Sequence, residues 1–126
     1  MLKEHNKKQL LNIGKNFFYP KNKCPFSERG FEIDDGWFEI IIKAVQKIEN
    51  IIDNNKDIYI YCEQIKQKFG SLRIYFDTNA NDEIYENIIK IINDAENKSK
   101  ITCEICGDEG RITNSGYIRV LCDKHK

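Results

Sequence analysis

The 126-residue sequence has few of the residues, and none of the charge imbalance, that would indicate a disulfide-rich, nucleic-acid-coating or membrane protein from composition alone. It has two prolines, one tryptophan, one methionine and two histidines, and its 20 lysines and arginines balance its 20 aspartates and glutamates. The formal net charge of zero excludes a basic surface over the whole molecule but is compatible with a local basic patch. No apolar run approaches the ~20 residues that span a bilayer, so we expect no membrane partner.

Catalytic motifs are also missing from the sequence. It contains no Gly-x-Ser-x-Gly, no P-loop, no Gly-x-Gly-x-x-Gly and no His-Glu-x-x-His. We therefore assign no catalytic residue and favour a non-enzymatic protein, with a metal-dependent hydrolase as the alternative. The acidic candidates for a hydrolase lie at helix starts and strand ends, where helix capping explains them well: Asp34, Asp35, Asp77 and Asp82.

The composition that is present is typical of a globular protein. Hydrophobic residues make up 40% and charged residues 32% of the chain. At 126 residues the chain is long enough to bury a hydrophobic core. The first residues lack the apolar stretch of a secretory signal, so we expect a cytoplasmic protein. Of the five cysteines, Cys24 and Cys62 have no ligand partner nearby in the sequence and are interpreted as structural thiols.

Hydrophobic periodicity predicts an α+β fold: two main helices packed on a small antiparallel sheet, followed by a C-terminal zinc knuckle or ribbon. Apolar residues recur at helical spacing over about 36–54 and 82–99, and less regularly over 3–18. Between the long helices, the pattern predicts a hairpin of strands 58–66 and 71–76. Because an isolated hairpin is marginal, it has to pack on helices or gain another strand.

The chain is divided by these patterns into three regions, which we expect to form one compact domain. Residues 1–35 are a predicted helix and loop extension, with both prolines in the loop 19–35. Residues 36–100 are the α+β core, and residues 101–126 are the zinc-binding knuckle.

The last 24 residues contain the most specific motif. Cys103 and Cys106 are separated by two residues, and Cys122 and His125 repeat that spacing after 15 intervening residues. Such pairs direct three sulfurs and one nitrogen at one ion, a ligand set that Zn²⁺ binds tetrahedrally. Four protein ligands leave no coordination position for a catalytic water, so the sequence predicts a structural Zn²⁺ ion.

A second candidate site lies on the predicted hairpin. The strand alternation turns Arg73 and Tyr75 outward, and Lys66 and Lys68 lie near the turn. An arginine beside a tyrosine, with lysines around them, could stack a base and neutralise a phosphate. A solvated sheet face with ion pairs explains the same residues equally well. Trp37, in the first turn of the first long helix, is interpreted as a core residue or as a further ligand-binding residue.

Four segments occur together in this order: "DDGWFEIIIKAV", "QIKQKFGSLRIYF", "DAENKSK" and "TCEICGDEGR…YIRVLCDKH". This combination resembles a set of small proteins encoded in phages and prophages, over residues 34–125. The matching positions outside the knuckle are Gly36, Trp37, Gln64, Lys66, Lys68, Phe69, Gly70, Leu72 and Arg73. The resemblance implies a phage-type origin, an α+β zinc-bearing fold and the cytoplasm of a bacterial host as location, but no reaction.

Together these observations favour a zinc-stabilised binding protein of phage type. We expect it to sequester an anionic ligand, such as a nucleotide or cyclic nucleotide signal, or to block a host defence component. The alternatives are a protein–protein interaction inhibitor, which would use the knuckle and the loop 19–35 as contact surface, and a nucleic-acid-binding module. The sequence gives no indication of the oligomeric state.

Overall fold

The computed structural model describes residues 1–21, 24–26, 30–113 and 116–126, and it confirms the α+β class. A three-stranded sheet has the strand order β1-β2-β3, and β4 and β5 form a separate ribbon. No helix in the described residues is both long and apolar enough to cross a membrane. In chain order the elements are α1 (Glu4–Ile13), β1 (Phe31–Glu32), a 3₁₀ turn (Asp35–Trp37), α2 (Phe38–Asn54), β2 (Ile60–Lys68), β3 (Ser71–Thr78), α3 (Asp82–Ser99), β4 (Arg111–Thr113) and β5 (Arg119–Leu121).

The antiparallel hairpin of β2 and β3 is the framework of the main sheet. Both strands end two residues later than the sequence pattern indicated, at Lys68 and Thr78, and a bulge shifts the register between Cys62 and Gln64. The short strand β1, within the predicted loop 19–35, pairs in parallel with β2. The hairpin thus gains the additional strand that an isolated pair needs for stability.

The core lies between the long helices and the sheet, where Ile48 of α2, Ile88 of α3 and Ile65 of β2 are fully buried. Apolar side chains at helical spacing on α2 and α3 meet the inward side chains of the strands, which alternate with outward ones. The predicted inward orientation of Leu72 and Ile74 is confirmed by their burial.

The N-terminal segment completes this core. The predicted helix over 3–18 ends at Ile13, and Phe17 and Phe18 follow it as fully buried side chains. The buried carboxylate of Glu49 on α2 accepts hydrogen bonds from the backbone N–H groups of Asn16 (2.9 Å) and Phe17 (2.8 Å). Hydrogen bonds to a buried carboxylate offset its desolvation, so they fix this non-helical segment against α2.

The residues that start the two long helices differ from those predicted. The side chain of Asn81, and not of Asp82, accepts the N–H of Ile84 and caps α3, because the capping residue must be extended and precede the first helical residue. At α2, a 3₁₀ turn precedes the helix, and neither aspartate makes a side-chain capping bond. Asp35 instead accepts hydrogen bonds from the backbone of Lys3 and the side chain of Asn6.

Candidate metal centre and the neighbouring hairpin face

The C-terminal segment forms an antiparallel ribbon whose open end carries both ligand-bearing turns. The first pair of cysteines precedes β4, and the second pair of ligands follows β5. The residues Tyr117, Ile118, Val120 and Leu121 predict a short strand leading to the second pair, where β5 lies, whereas the three residues of β4 carry no alternating pattern that predicts it. Gly107 adopts a φ of +85° and donates its N–H to the carbonyl of Cys103 at 2.9 Å, which closes the first turn. A glycine suits this left-handed position.

The four predicted ligands converge on one point. Their sulfur and nitrogen atoms all lie within 4.8 Å of one another. The Sγ atoms of Cys106 and Cys122 are 3.6 Å apart, and Nδ1 of His125 lies 3.2 Å from Sγ of Cys122 and 3.8 Å from Sγ of Cys103. A tetrahedral ion with ~2.3 Å bonds to sulfur and ~2.0–2.1 Å bonds to nitrogen has ligand–ligand edges of about 3.5–3.8 Å. The side chains therefore fit one tetrahedral metal ion, with Nδ1 as the histidine donor.

The two cysteines of the first pair have different acidities in this cluster. Burial alone would raise the pKa of Cys103, but the backbone N–H groups of Cys106, Cys122 and Ile105 lower it to about 6. The pKa of Cys106 is lowered by the amide of Asp108, yet desolvation and the neighbouring thiols raise it to about 11. Thiols this close cannot all ionise without a cation among them, and a bound metal ion supplies that positive charge.

The first ligand turn is bonded to the start of α2. The carbonyl of Glu104 accepts the N–H of Gly36, and the carbonyl of Thr102 accepts the indole N–H of Trp37, both at 2.9 Å. Trp37 is 0% exposed, so of its two interpretations the structure supports the core residue and not the ligand-binding one. A Cβ on Gly36 would lie 2.0 Å from the carbonyl oxygen of Cys103, so the backbones approach as closely as only glycine allows.

A charged cluster holds the ribbon to the core beside this contact. The guanidinium of Arg119 donates to Glu104 at 2.7 Å and to Asp34 at 2.9 Å. Burial opposes the charge on Arg119, but these two carboxylates outweigh it and raise the pKa of the guanidinium. The side-chain amide of Gln67 adds a hydrogen bond to the carbonyl of Ile118 at 2.7 Å. Sequence reasoning missed this cluster, since it interpreted Asp34 as a helix cap.

The candidate ligand residues on the hairpin do lie together. Lys66 and Arg73 are directly opposite each other in the ladder, and Gln64 is opposite Tyr75 at the next outward position. We call these four residues the outer face. The side chain of Tyr75 is 41% exposed. Lys68 lies nearer the turn, and its ammonium group is 5.8 Å from the centre of the Phe69 ring.

Acidic side chains flank the two opposed cations of the outer face. Glu32 of β1 is the register partner of Lys66, and Glu96 of α3 lies 3.6 Å from the guanidinium of Arg73. The Nε atom of Arg73 is buried and has no hydrogen-bond partner among the described residues. An open depression beside them is lined by Gly30, Glu32, Glu63, Gln64, Lys66 and Tyr75. The face therefore carries mixed charge, with two cations at its centre.

The remaining candidate residues have other surroundings. Cys62 is buried, and this burial raises the pKa of its thiol, whereas Cys24 is an exposed thiol. Asp77 accepts the hydroxyl of Tyr61 at 2.7 Å. Among the residues that the structure describes, the Cys103, Cys106, Cys122 and His125 group is the one cluster of three or more metal-ligating side chains.

Comparisons of the chain with protein-family models, with curated proteins and with solved structures each gave no match.

Proposed function

We propose that the protein is a non-enzymatic binding module, stabilised by a structural Zn²⁺ ion, that binds an anionic ligand on the outer face of the β2–β3 hairpin. The observation that supports the binding site is the pairing of Lys66 with Arg73. Like charges directly opposite in a sheet destabilise it, by roughly 0.2–1 kcal/mol on the scale of cross-strand pairs. An anion bridging the two cations would reverse the sign of this contribution.

The surroundings of Arg73 support the same reading. Its buried Nε is a donor without an acceptor in the described part of the chain, and a buried unmade hydrogen bond costs about 1–3 kcal/mol. The contact with Glu96 uses a terminal nitrogen at 3.6 Å, which is an ion pair and too long for a strong hydrogen bond. A phosphate or carboxylate oxygen could satisfy the free donor while contacting Lys66 opposite.

The metal centre supports the non-enzymatic part of the proposal. Zn²⁺ is the ion that best suits three sulfurs and one imidazole nitrogen in a tetrahedron. With all four positions taken by protein, the ion has no place for a reactive water, so its contribution is to folding.

The ligand class follows from the outer face and from the resemblance to phage proteins. Tyr75 offers an exposed ring two residues from Arg73, so a nucleotide could place its base on the ring and its phosphate on the cations. We propose that the anion is the phosphate of a nucleotide, either a free nucleotide or cyclic nucleotide of a bacterial host or a nucleotide within a nucleic-acid strand. Its capture, or the blocking of a host component that carries one, would be the cellular role.

Thermal unfolding of the zinc-loaded protein, with and without a panel of nucleotides, tests the proposal. A ligand present at 100 times its dissociation constant should stabilise the protein by about 2.7 kcal/mol. Lys66→Gln should abolish this ligand effect, while it leaves the free protein as stable as before or slightly more stable, because the opposed charge is gone. The matched control is Lys90→Gln, an exposed lysine on α3 that should change neither quantity.

Two results would contradict the proposal. One is the absence of stabilisation by any nucleotide, by an oligonucleotide and by inorganic phosphate. The other is turnover of a nucleotide by the purified protein with added Mg²⁺ or Mn²⁺, which would indicate the hydrolase alternative instead.

A further inference from the structure

The turn between β2 and β3 is strained in a way that its own packing does not explain. Phe69 and Gly70 form a two-residue loop, and both have positive φ, +53° and +80°, the pattern of a type I′ turn. Asn-Gly is the favoured pair there, because a bulky side chain at positive φ costs about 1–2 kcal/mol. The Phe69 side chain is 69% exposed, so burial does not offset this cost. A strained, exposed aromatic residue is evidence of a functional position.

The strained turn lies against the metal-held ribbon. A Cβ on Gly70 would be 3.2 Å from a methyl carbon of Ile118 and 3.5 Å from Ile112, so the hairpin turn and the ribbon strands are in close contact. The ribbon adds its own exposed apolar groups next to this contact: Ile112 is 56% exposed and Tyr117 is 68% exposed. We call Phe69, Ile112 and Tyr117 the two-hairpin tip.

Basic residues outnumber acidic ones in the two segments that carry the two-hairpin tip. Neither residues 64–76 nor residues 110–121 contain an aspartate or glutamate, although the chain as a whole is neutral. Two of their five cations are ion-paired with acids of other segments: Arg119 with Glu104 and Asp34, and Arg73 with Glu96. The exposed cations nearest the tip are Lys68 and Arg111, and their charge is complementary to an anionic partner.

From this arrangement we infer that the anionic ligand is a single-stranded nucleic acid, an inference that rests on the proposed anion site. Exposed aromatic rings beside cations are the combination that holds single strands, because every base has a face that can stack and every nucleotide has a phosphate. The Lys66–Arg73 pair lies three residues from the turn, about 10 Å along the strand. A phosphate on this pair and a base on Phe69 are therefore within the reach of one strand.

The shape of the surface favours a strand over a free nucleotide. Sites for small molecules are concave and bury most of their ligand. The depression beside Lys66 and Tyr75 is open, and the rings of Phe69 and Tyr117 project into solvent. A polymer can gather affinity from several such exposed contacts, whereas a mononucleotide can use only one or two of them.

Fluorescence anisotropy with labelled single-stranded DNA and RNA of about 12 nucleotides, within the ~4–16 that single-strand sites cover, tests the inference. The decisive variant is Phe69→Asn, since it removes the ring and places the favoured residue in the turn. We expect binding to weaken roughly 5- to 150-fold while the urea midpoint of the free protein rises. Tyr19→Ser, which removes an exposed ring on the N-terminal segment, is the matched control and should leave binding unchanged.

The charged contacts have a separate readout. Log affinity should fall linearly with log salt, and Lys68→Gln should reduce the slope by about 0.7 if this lysine contacts one phosphate. Lys90→Gln on α3 should leave the slope unchanged. A blunt duplex of the same length should bind more weakly than either strand, because its bases cannot reach the exposed rings.

Several outcomes would overturn the inference while leaving the anion site standing. In the first, a mononucleotide binds, Lys66→Gln abolishes this binding, and longer strands bind no more tightly. In the second, Phe69→Asn and the wild type bind oligonucleotides with equal affinity. In the third, the protein binds a duplex more tightly than a single strand. Binding of a host protein that Phe69→Asn abolishes, with no oligonucleotide binding, would identify a protein partner and also overturn it. If neither nucleotides nor oligonucleotides bind, both the inference and the proposed function fail.

Discussion

Replacing Gly36 by alanine is the sharpest test of how the metal centre is joined to the helical core. The added Cβ would lie 2.0 Å from the carbonyl oxygen of Cys103, and 2.5 Å and 2.7 Å from the carbonyl carbon and oxygen of Glu104. All three are backbone atoms of the ligand turn, so no side-chain rotation relieves the overlap. The turn and the start of α2 have to move apart.

The cost can be worked out from the contacts that separate. Overpacking in a well-packed site costs about 1–3 kcal/mol. The Gly36–Glu104 and Trp37–Thr102 hydrogen bonds contribute about 0.5–1.5 kcal/mol each. We therefore expect Gly36→Ala to destabilise the protein by about 2–6 kcal/mol, a large part of the ~5–15 kcal/mol typical of a domain.

Urea unfolding, followed by the fluorescence of the sole tryptophan, measures this change. With a slope of roughly 1.5 kcal/mol/M, the midpoint should fall by about 1–4 M. The matched control is Gly116→Ala, where φ is +81° but no atom lies within 4 Å of the added Cβ, so only backbone strain of about 1–2 kcal/mol is expected. Both variants should retain one metal ion per chain. A loss for Gly36→Ala no larger than for Gly116→Ala would refute the close backbone contact.

Three further perturbations have defined outcomes. Excess chelator should red-shift the emission of Trp37, since its indole N–H bonds the carbonyl beside the first ligand, and added Zn²⁺ should reverse the shift; an unchanged spectrum would contradict that coupling. Arg119→Ala should cost about 2–3 kcal/mol in urea unfolding by leaving the buried Glu104 without its cation, whereas a change under 0.5 kcal/mol would show that water replaces the pair. Burial raises the pKa of the Cys62 thiol in the folded protein, so the free energy of unfolding is unaffected below the unfolded thiol pKa of ~8.5 and falls above it, by up to about 1.4 kcal/mol per pH unit. Between pH 7 and 10 the Cys62→Ala variant should therefore lose less stability than the wild type. An equal loss in both proteins would show that another group causes the pH dependence.

Residue spacing and hydrophobic periodicity predicted the helices, the hairpin and the metal-ligand set, because each of these depends on residues that are close in sequence. The spacing of the cysteines and histidine fixes which side chains can share an ion, and the four atoms do converge. Helical periodicity placed α2 and α3 well, and α3 spans the predicted 82–99. Strand alternation gave the correct inward and outward sides around Ile74 and Tyr75.

Contacts between distant residues were not predictable in the same way. Arg119 bonds Asp34 across 85 residues, and no periodicity or spacing relates the two. The role of Trp37 was undecided because a helix start can face a ligand or a neighbouring segment; in the structure its ring lies in the core cluster and its indole N–H bonds to Thr102. The strand β1 has two residues, too few to show alternation, so it exists only through its pairing with β2.

The contact of Gly70 with the ribbon side chains Ile112 and Ile118 has a thermodynamic consequence. An ion on the four ligands would tie the two strands of the ribbon together, so a partner that contacts both hairpins should bind better to the loaded state than to the empty one. By linkage, that partner must tighten ion binding by the same factor. A chelator should therefore need a higher concentration to remove the ion once the two-hairpin tip is occupied, which makes ion retention at equilibrium a measure of occupancy.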